Sequence, residues 1–589
     1  MTYLVNDPTA FTEELTDGFT AVYPDRVRAV PGGVVRAAQV PVGQVAVVIG
    51  GGSGHYPAFA GLVGPGLAHG AAMGNVFASP SAQQIYSVAK AAQVGAGVLL
   101  SYGNYAGDVL NFDAAQERLR AEGIDCRTVV VTDDISSARA DEASRRRGIA
   151  GDLCIFKAAA YAAEKGWPLE RVWEFANHAN QLTRSFGIAF TGCTLPGATA
   201  PLFTVPAGRM GIGIGIHGEP GLREDDRGSA HEVARLLVDG LLADRPENAG
   251  TRVAVLTNGL GSVKYEELFV LHRSVDRFLR EAGLTIVQPD VGELCTSFEM
   301  AGVSLTLFWL ADGLEAAWLA PADAPGYRKG AVWPQAAGTG PGTVIASSRP
   351  TVSTPANATS PPAASPASRE SRATGRVIAR AIDAAAGAIE AVADHLGELD
   401  AVAGDGDHGI GMRRGVNAAR QAAATASGDG AGAGSVLIAA ADAWSDRAGG
   451  TSGALWGLIL RTLGTELGDE TAPDPTRLAA AVHAATLAVQ RFGKARVGDK
   501  TLVDALAPFA SALARSATTC QTIAQAWSAA APEATRAASA TADLMPKIGR
   551  ARPHASKSLG TPDPGAVSMA TVVAAVATSL AGERSRNDE

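Results

Sequence analysis

Hydrophobic and polar positions follow two different patterns along the chain of 589 residues. Up to about residue 333, short β-branched runs alternate with helical stretches, and several runs end in glycine-rich or acidic turns. This alternation is typical of α/β architecture, in which ligands tend to bind beyond the carboxyl ends of the strands. The predicted strands are residues 45–49, 97–101, 128–132, 253–258 and 304–310.

From about residue 373 onward the chain is alanine-rich, and it contains no convincing β run. Ile378, Ile382, Ile389, Val392 and Leu396 fall on one face of a helix. We therefore expect an all-helical bundle in this region. Further helices are predicted at residues 435–447, 453–465, 477–492, 501–516, 521–530 and 566–581.

A stretch rich in Pro, Ser, Thr, Ala and Gly separates the two patterned regions. It cannot bury enough apolar surface to offset the entropy of ordering, so it is predicted to be a flexible linker. As a coil it would span roughly 35 Å, which allows the flanking domains more than one arrangement. The predicted organisation is an α/β domain at 1–333, a linker at 334–372 and a helical domain at 373–589.

The stretch GIGIGIHGEPG, residues 211–221, alternates glycine with isoleucine before a histidine. In a strand, Ile212, Ile214 and Ile216 would share one face, and the glycines would share the other with His217. One interpretation is a closely packed strand with a hydrogen-bonded histidine at its exit. The other is a small cavity floored by the glycines, where the imidazole of His217 could add to a ketone but not to an alcohol.

Composition and charge limit the classes of function. Hydrophobic residues make up 47% and charged residues 19%, as in ordinary soluble proteins, and the formal net charge of -9 argues against nucleic acid or an anionic membrane as the main partner. The five cysteines are scattered without a CxxC pair, so neither a disulfide framework nor a zinc site is expected. We find no signal peptide and no apolar run of the ~18 residues that a membrane span needs, which predicts a cytoplasmic protein.

Two turns that follow predicted strands can carry chemistry. In VVIGGGSGHYP, residues 47–57, glycines that allow close backbone approach to a ligand stand beside a serine and a histidine. In SYGNYAGDVLNF, residues 101–112, Asp108 is expected in a loop, where a helix N-cap is the more ordinary role of an aspartate. The same caution applies to Asp133 and Asp134 in VTDDIS.

The sequence LDAVAGDGDHGIG, residues 399–411, places Asp400, Asp405 and Asp407 after a long amphipathic helix. Three carboxylates this close repel one another unless cations lie between them. Oxygen ligands on a glycine-containing turn suit Mg²⁺, whereas the ligand order and closing glutamate of an EF-hand calcium loop are missing.

A phosphate cradle is predicted further along the chain. In RAGGTSGALWG, residues 447–457, two glycines, a threonine and a serine stand just before a helix. The segments RFGKARVGDKTLVDAL and GRARPHASKSLGTPDPGA add Gly, Lys, Arg and Asp at helix boundaries, where charge usually serves capping and solvation. Together with the three aspartates they indicate one nucleotide site on the loops of the bundle.

The motifs GGGSGH, NYAGDVLNF, GIHGEPG, GDGDHG, GGTSGALWG, GDKTLVDAL and DPGA, in this order, resemble those of single-chain ATP-dependent dihydroxyacetone kinases. The resemblance covers nearly the whole chain apart from the linker, and the combination of motifs is specific. It implies a ketose-binding α/β domain of two subdomains and a C-terminal helical barrel that holds ATP and two Mg²⁺ ions. It also implies a homodimer whose subunits can exchange domains.

The resemblance implies roles for particular residues. His217 would form a covalent hemiaminal with the carbonyl carbon of the ketose, and Asp108 and His55 would be the acid/base pair. The implied substrate loop is Gly52, Ser53, Gly54 and His55, and the implied metal ligands are Asp400, Asp405 and Asp407. The implied nucleotide contacts are His408, Gly409, Ile410, Gly411, Thr451, Ser452, Gly493, Leu502, Arg550, Asp563, Pro564 and Gly565.

Two positions depart from the family pattern. Tyr56 stands where the family usually has glutamate, and Gly103 stands where it usually has a lysine before NYTGD. Loss of the lysine beside the ketose loop predicts a wider or less polar pocket. We therefore expect a larger ketose, such as the four-carbon erythrulose, as substrate.

Other functions remain open at this point. A non-catalytic ketose sensor would share the α/β domain, although the three aspartates and the nucleotide cradle disfavour it. Cyclisation of FAD, a lyase activity of some animal members of the family, is a second alternative. A phosphotransfer protein is a less expected donor than ATP because a separate carrier domain is absent.

Overall fold

The computed structural model describes residues 2–247, 249–330, 367–402, 404, 406–548 and 557–587. Most of the predicted linker at 334–372, together with Asp405 and Arg550, lies outside the described residues. The described chain has an α/β part whose last strand ends at Lys329 and a helical part whose first helix begins at Arg369. The domain boundaries between these two points stay a prediction.

All five strands predicted from the sequence are confirmed, with ends shifted by up to four residues. The α-helices and strands of the α/β part, in chain order, are α1 (Phe11–Val22), β1 (Val27–Val30), β2 (Gly33–Arg36), β3 (Ala46–Ser53), β4 (Gly70–Val76), α2 (Ala82–Ala92), β5 (Val98–Gly103), α3 (Ala106–Ala121), β6 (Cys126–Val131), α4 (Asp152–Glu164), α5 (Leu169–Gln181), β7 (Thr183–Ala189), β8 (Arg209–Ile212), β9 (Arg223–Asp226), α6 (Ala230–Ala243), β10 (Arg252–Gly259), α7 (Tyr265–Glu281), β11 (Thr285–Ile286), β12 (Asp290–Gly292), β13 (Gly302–Trp309), α8 (Leu314–Leu319), β14 (Ala322–Asp323) and β15 (Arg328–Lys329).

The first sheet has the strand order β1-β2-β4-β3-β5-β6. Its strands β4, β3, β5 and β6 are parallel, as expected for strands joined by helical crossovers. β3 runs further than predicted, through three glycines to Ser53. A side chain on Gly50 would lie 2.6 Å from the carbonyl oxygen of Ala72, so glycine is what lets β3 and β4 stay in register here.

The second sheet has the order β11-β10-β13-β7-β8-β9, with β12 also paired to β10, and most of its pairs are antiparallel. One core cluster contains residues of both sheets, including Val47 and Ile49 of β3 and Leu256 of β10. Helix α4 packs against β3 and β5 and is buried along nearly its whole length. The two sheets with their helices agree with the expected α/β fold of two subdomains.

The helical part confirms the predicted all-α architecture. Each helix contacts the next along the chain, and α16 packs back against α9, so the ring closes into a barrel. Ile382, Ile389 and Leu396 of the predicted apolar face are buried in its core. The helices of this part are α9 (Arg369–Ala401), α10 (His408–Gly428), α11 (Ala433–Ala448), α12 (Gly450–Leu467), α13 (Pro475–Gly493), α14 (Val503–Ala517), α15 (Ile523–Ala540) and α16 (Pro564–Asn587).

The predicted strand over residues 211–217 is wrong beyond Ile212, where β8 ends. Gly213 has a φ of 77°, in the left-handed region that glycine tolerates, and the chain turns there. Ile214 then folds back over Gly211, where any side chain would collide with it. The alternation of glycine and isoleucine therefore encodes a turn rather than a two-faced strand.

The expectation that no apolar run is long enough for a membrane span is also corrected. Within the described residues, the segment Pro564–Gly582 of α16 is long and apolar enough to cross a membrane, by length and composition only, with a mean hydropathy of 1.6. Serine, threonine and glycine interrupt its alanines and valines, so the run is easily overlooked in the sequence. In the fold this helix packs against α9, α14 and α15 as one member of the barrel.

Candidate active site

The glycine-rich turn after β3 lies against the segment that follows β4. A side chain on Gly52 would come within 2.7 Å of the amide nitrogen of Ala78. Ser53 is buried, and its hydroxyl donates to the carbonyl oxygen of Gly74 at 2.7 Å. These contacts hold the turn that carries His55.

His55 is buried and stacks on Phe77, with ring centroids 4.8 Å apart. Its Nδ1 lies 2.8 Å from the carbonyl oxygen of Thr296, which can only accept, so Nδ1 carries a hydrogen. Its Nε2 lies 3.0 Å from Nε2 of His217. Burial, and next the charge of His217, lower the pKa of His55 to about 3, so this ring is neutral at physiological pH.

His217 is held by its own turn and by aromatic rings. Its Nδ1 lies 2.9 Å from Oε1 of Glu219, and its backbone N–H donates to Oε2 of the same carboxylate at 3.0 Å. Tyr105, Phe77 and His55 meet the imidazole nearly at right angles, with centroid distances of 4.8, 5.1 and 4.8 Å. With Nδ1 bonded to Glu219, Nε2 is the nitrogen that can act as a nucleophile.

The glycines before His217 do not floor an empty cavity, which corrects that interpretation of the sequence. A side chain on Gly215 would collide with the carboxylate of Glu219 and would lie 2.5 Å from Nη1 of Arg147. A side chain on Gly213 would lie 2.6 Å from Cβ of Ser136. The absent side chains make room for charged and polar groups that support the histidine.

A second layer of charge stands behind Glu219. Nη1 of Arg147 lies 3.7 Å from Oε2 of Glu219, and Nε of Arg147 donates to Oδ2 of Asp134 at 3.0 Å. All three side chains are largely or wholly buried. Sequence reasoning named neither Glu219 nor Arg147, although the acid two residues after the histidine in GIHGEPG was a visible signal.

The hydrogen bonds of the two histidines place one proton between them. Nδ1 of His55 must donate to Thr296, and Nδ1 of His217 donates to the carboxylate of Glu219. If both rings were neutral, two lone pairs would face each other across 3.0 Å. One Nε2 therefore carries the hydrogen that joins the two rings.

Asp108 does not lie in a loop, as the sequence suggested, but in the first turn of α3, where a carboxylate suits the helix dipole. It is only 8% exposed. The pKa of Asp152 is raised well above its usual value, first by burial, next by the charge of Asp133 and then by the charge of Asp108. The N-cap role expected for Asp133 is not found: Asp133 accepts from the backbone N–H groups of Ile149 and Gly151 just before α4, whose N-cap residue is Gly151 without a side-chain cap.

The two departures from the family pattern occupy different surroundings. A side chain on Gly103 would lie 3.1 Å from the carbonyl oxygen of Gly148 and 3.2 Å from the ring of Tyr105. Backbone and an aromatic ring border this position closely, and the expected wider or less polar pocket stays a prediction. Tyr56 lines an apolar cavity of about 110 Å³ between α1 and the glycine-rich turn.

The predicted phosphate cradle is a sharp turn between α11 and α12. Gly449 and Gly450 have φ values of 63° and 61°, which other residues adopt only with strain. Oγ of Ser452 lies 3.2 Å from Nδ1 of His408, and Nε2 of His408 lies 3.0 Å from Oγ of Ser568. This chain of contacts ties α10, α12 and α16 together at the predicted nucleotide site.

Carboxylates from three helix ends converge beside the cradle. Asp400 accepts from the backbone N–H of His408 at 3.2 Å, and Asp407 directly precedes α10. Burial, and next the charge of Asp400, raise the pKa of Asp407 to about 7. Burial, followed by the charges of Asp504 and Asp400, raises the pKa of Asp563 to about 7.

This crowding of oxygen donors fits Mg²⁺, which would relieve the mutual repulsion. Of the three predicted ligands, Asp400 and Asp407 lie within the described residues and Asp405 lies outside them. Within the described residues, no group of three or more His, Cys, Asp or Glu side chains is arranged as a finished metal site.

The loops around 500 and 563 contain groups that sequence reasoning passed over. Nζ of Lys500 donates to the carbonyl oxygen of Ser558 at 2.6 Å, and Asp504 accepts from the backbone N–H of Thr501 at 2.7 Å. Both residues lie in the quoted GDKTLVDAL motif, yet only Leu502 was singled out there.

The remaining predicted nucleotide residues lie at helix ends. Asp563 accepts from the backbone N–H of Ala566 at 2.7 Å and so begins α16, which puts Pro564 and Gly565 in its first turn. Gly409 packs against the backbone of α9, where a side chain would collide with Ala393, while Ile410 is 47% exposed. A side chain on Gly411 would lie nearest to the carbonyl oxygen of Ala448. A side chain on Gly493 would lie nearest to the side chain of Leu455. Arg550 lies outside the described residues.

Comparison with known proteins agrees with this arrangement. The Dak1 domain family matches residues 17–326, and the DAK2 domain family matches residues 402–578. The chain is 56% identical over 586 residues to the L-erythrulose kinase of Pectobacterium atrosepticum, covering 98% of this chain and 97% of that one. It is 53% identical over 588 residues to the D-erythrulose kinase of Mycolicibacterium smegmatis, covering 99% and 100%.

A solved structure resembles the fold over nearly its whole length. The dihydroxyacetone kinase of C. freundii in complex with AMP-PNP and Mg²⁺ superposes with a TM-score of 0.51 at 29% identity, over 98% of this chain and 99% of that one. The α/β part contains the Dak1 match and the helical part contains the DAK2 match, which defines the class of protein as a kinase of short-chain ketoses. The chain belongs to the dihydroxyacetone kinase family and is a single-chain, ATP-dependent kinase of short-chain ketoses.

Proposed function

We propose that the protein holds erythrulose covalently on His217 and transfers the γ-phosphoryl group of ATP to a terminal hydroxyl of the sugar. The observation that carries this proposal is the geometry of His217: its Nδ1 is bonded to Glu219, and its Nε2 lies 3.0 Å from Nε2 of His55. A ring fixed in this way presents one nitrogen to a carbonyl carbon. Glycerol has no carbonyl group, so it is rejected chemically rather than by size.

The hemiaminal forms without net uptake of a proton. The proton on Nε2 of His217 moves to Nε2 of His55, and the freed lone pair attacks the carbonyl carbon. A carbon–nitrogen bond forms, the π electron pair of the carbonyl moves to oxygen, and that oxygen takes the proton from His55. The ring of His217 remains positive with its Nδ1–H against Glu219, which offsets the charge.

Asp108 acts next as the general base. Its carboxylate takes the proton of the terminal hydroxyl while the hydroxyl oxygen attacks the γ-phosphorus of ATP, and ADP leaves. Burial at the start of α3 keeps this carboxylate away from bulk water. The fixed hemiaminal supplies the orientation that such an in-line attack needs.

The helical barrel supplies the donor. Two Mg²⁺ ions would be held by Asp400, Asp405 and Asp407 together with the phosphates of ATP, where they offset the charge of the transferring group. The turn at Thr451 and Ser452, the predicted contacts His408 to Gly411 and the start of α16 would surround the nucleotide. Asp563 belongs to the same acidic group because the charge of Asp400 contributes to raising the pKa of Asp563.

The names of the two relatives support a four-carbon ketose, one for each enantiomer. We therefore infer that erythrulose is preferred over dihydroxyacetone. We also propose, from the family resemblance, that the protein works as a cytoplasmic homodimer. Light scattering on the purified protein tests the dimer. A monomer at micromolar concentration would contradict that part of the proposal.

The experiment for the proposed activity measures ketose-dependent release of ADP with D-erythrulose, L-erythrulose, dihydroxyacetone and glycerol. We expect the highest kcat/KM with one enantiomer of erythrulose and no turnover of glycerol. Mass spectrometry of the protein with erythrulose should show a covalent adduct that is lost in His217→Ala and kept in His231→Ala, which removes an exposed histidine of α6. An adduct in His217→Ala, or a higher kcat/KM for dihydroxyacetone than for both enantiomers, would overturn the proposal.

A further inference from the structure

Residues 75–81, which comprise the end of β4 and the segment that leads to α2, lie between the ketose site and the predicted phosphate cradle. On one side Phe77 stacks on His55 and meets the edge of His217. On the other side the carbonyl oxygen of Ser79 accepts from the backbone N–H of Gly450 at 3.2 Å, and the side-chain amide of Asn75 donates to the carbonyl oxygen of Arg447 at 3.2 Å. The same short segment therefore touches both sites.

A partly buried hydrogen bond joins the two parts of the chain at the end of this segment. Oγ of Ser81 donates to Oδ1 of Asp446 at 2.5 Å. Ser81 is 1% exposed, and its Oγ also accepts from the backbone N–H of Gln84 as the N-cap of α2. The single hydroxyl hydrogen of Ser81 is thus committed to the carboxylate of the helical part.

Gly107, next to the proposed base, lies against the turn of the predicted phosphate cradle. A side chain on Gly107 would lie 3.2 Å from the amide nitrogen of Thr451 and 3.3 Å from the carbonyl carbon of Gly450. Gly107 immediately precedes Asp108 in the first turn of α3. The phosphate-binding turn is therefore seated directly on the helix end that carries the proposed base.

We propose that these contacts form a docking seam, and that the Ser81–Asp446 hydrogen bond positions the predicted phosphate cradle for transfer of the phosphoryl group to the ketose. The seam consists of residues 75–81 with Gly107 on the α/β side and residues 446–451 on the helical side. The proposal rests on the proposed kinase activity and assigns to Ser81 and Asp446 a positioning role. An exposed ion pair between Glu13 and Arg447 at 2.5 Å extends the seam to α1.

The first test replaces Asp446 with alanine. A hydrogen bond to a charged, partly buried carboxylate contributes enough to lower kcat by about tenfold to a hundredfold when it is lost from the arrangement that reacts. Formation of the hemiaminal, measured by mass spectrometry, and binding of an ATP analogue with Mg²⁺ should stay as in the unmodified protein, because each site is intact on its own side. The matched control is Glu533→Ala, which removes a carboxylate that pairs with Arg536 within α15.

The second test separates the seam from the stability of α2. Ser81→Ala removes both the N-cap and the bond to Asp446, whereas Gln84→Ala removes the other half of the capping box only. We expect Ser81→Ala to lower kcat as Asp446→Ala does, the double variant to lose no more than either single variant, and Gln84→Ala to keep its kcat within about twofold. The ion pair between Glu13 and Arg447 is tested by reversing its charges. Glu13→Arg alone and Arg447→Glu alone should each lower the activity by a few-fold, and the double variant should recover it.

The seam is refuted if Asp446→Ala keeps its kcat, if Gln84→Ala loses as much as Ser81→Ala, or if hemiaminal formation or nucleotide binding falls together with kcat. Failure of the proposed function has a different signature, since the unmodified protein would then release no ADP in response to any ketose.

Discussion

The ketose site and the nucleotide site of this protein are organised in opposite ways. In the α/β part the reactive histidines are fully supported by protein groups: Glu219 and Arg147 stand behind His217, and Thr296 fixes His55. In the helical part, carboxylates crowd together, and burial with mutual repulsion raises the pKa of Asp407 and of Asp563 to about 7. The first site is complete once the chain has folded, whereas the second needs cations and phosphate to balance its charge.

The largest effect expected from this comparison concerns the base of the completed site. Asp108→Asn should lower kcat by about 10²–10⁴-fold because the neutral amide cannot take the hydroxyl proton. The erythrulose adduct should persist, since His217 and its supporting groups are untouched. The control Glu117→Gln changes an exposed acid of the same helix. Loss of the adduct in Asp108→Asn would place Asp108 in the capture step instead.

The second prediction concerns the site that its ligand completes. Addition of Mg²⁺ and an ATP analogue at about 100 times the dissociation constant should raise the free energy of unfolding of the helical part by about 2.7 kcal/mol. Asp407→Asn should lose most of this gain, and its metal-free form should unfold no more easily than that of the unmodified protein, because a repulsive charge is gone. Denaturant titration with and without the ligands measures both quantities. Asp394→Asn, at an exposed acid of α9, is the control, and an equal loss of the gain in that variant would contradict the prediction.

The third prediction uses pH to examine the completed site. The pKa of His55 in the folded protein is about 3, mainly because of burial, whereas the unfolded value is close to 6.5. Between these values the unfolded chain binds more protons, so the contribution of His55 is fully present above pH 6.5 and is lost as the pH falls toward 3.

The measurement compares the unfolding free energy of the unmodified protein with that of His55→Asn across pH. The difference between them should rise by about 1.4 kcal/mol per pH unit from pH 4 to 6.5 and then become level. A difference that stays constant over this range would show that His55 is charged in the folded protein.

The smallest effect is expected at the support of the nucleophile. Glu219→Gln keeps a hydrogen-bond acceptor for Nδ1 of His217 but removes the charge that offsets the positive ring. The population of the erythrulose adduct should fall by about tenfold, as a charge-assisted hydrogen bond becomes a neutral one. Glu224→Gln, at an exposed acid of β9, provides the control. An unchanged adduct in Glu219→Gln would mean that Arg147 and Asp134, rather than Glu219, orient the imidazole.

Much of the fold was accessible from local patterns. The strands β3, β5, β6, β10 and β13 were predicted because short β-branched runs bounded by turn residues are read directly from the chain. Seven of the eight described helices of the barrel were predicted because their apolar residues recur at helical spacing, whereas α10 was not among the predicted helices. The turn at residues 213–218 was missed because alternation of small and large residues suggests a strand, and only the left-handed φ of Gly213 shows that the chain turns.

The site was accessible only in part. Motif order pointed to His217, Asp108 and His55, which lie in the turn after β8, in the first turn of α3 and in the turn after β3 respectively. Of the supporting groups, Glu219 was visible two residues after His217, whereas Arg147 was not accessible, since it is 72 positions from Glu219 and meets it only through the packing of separate loops. The position of Asp108 in α3 was misjudged because glycine and aspartate near a tyrosine resemble a loop as much as a first helical turn.

The sequence by itself determined which residues are available for chemistry and which segments form strands and helices, because both depend on residue type and on spacing within a few turns of chain. Only the tertiary structure decided which ring nitrogen of His217 faces His55, and that the turn at Gly450 is seated on Gly107. Those properties arise from contacts between residues far apart in the chain, and local patterns do not encode them.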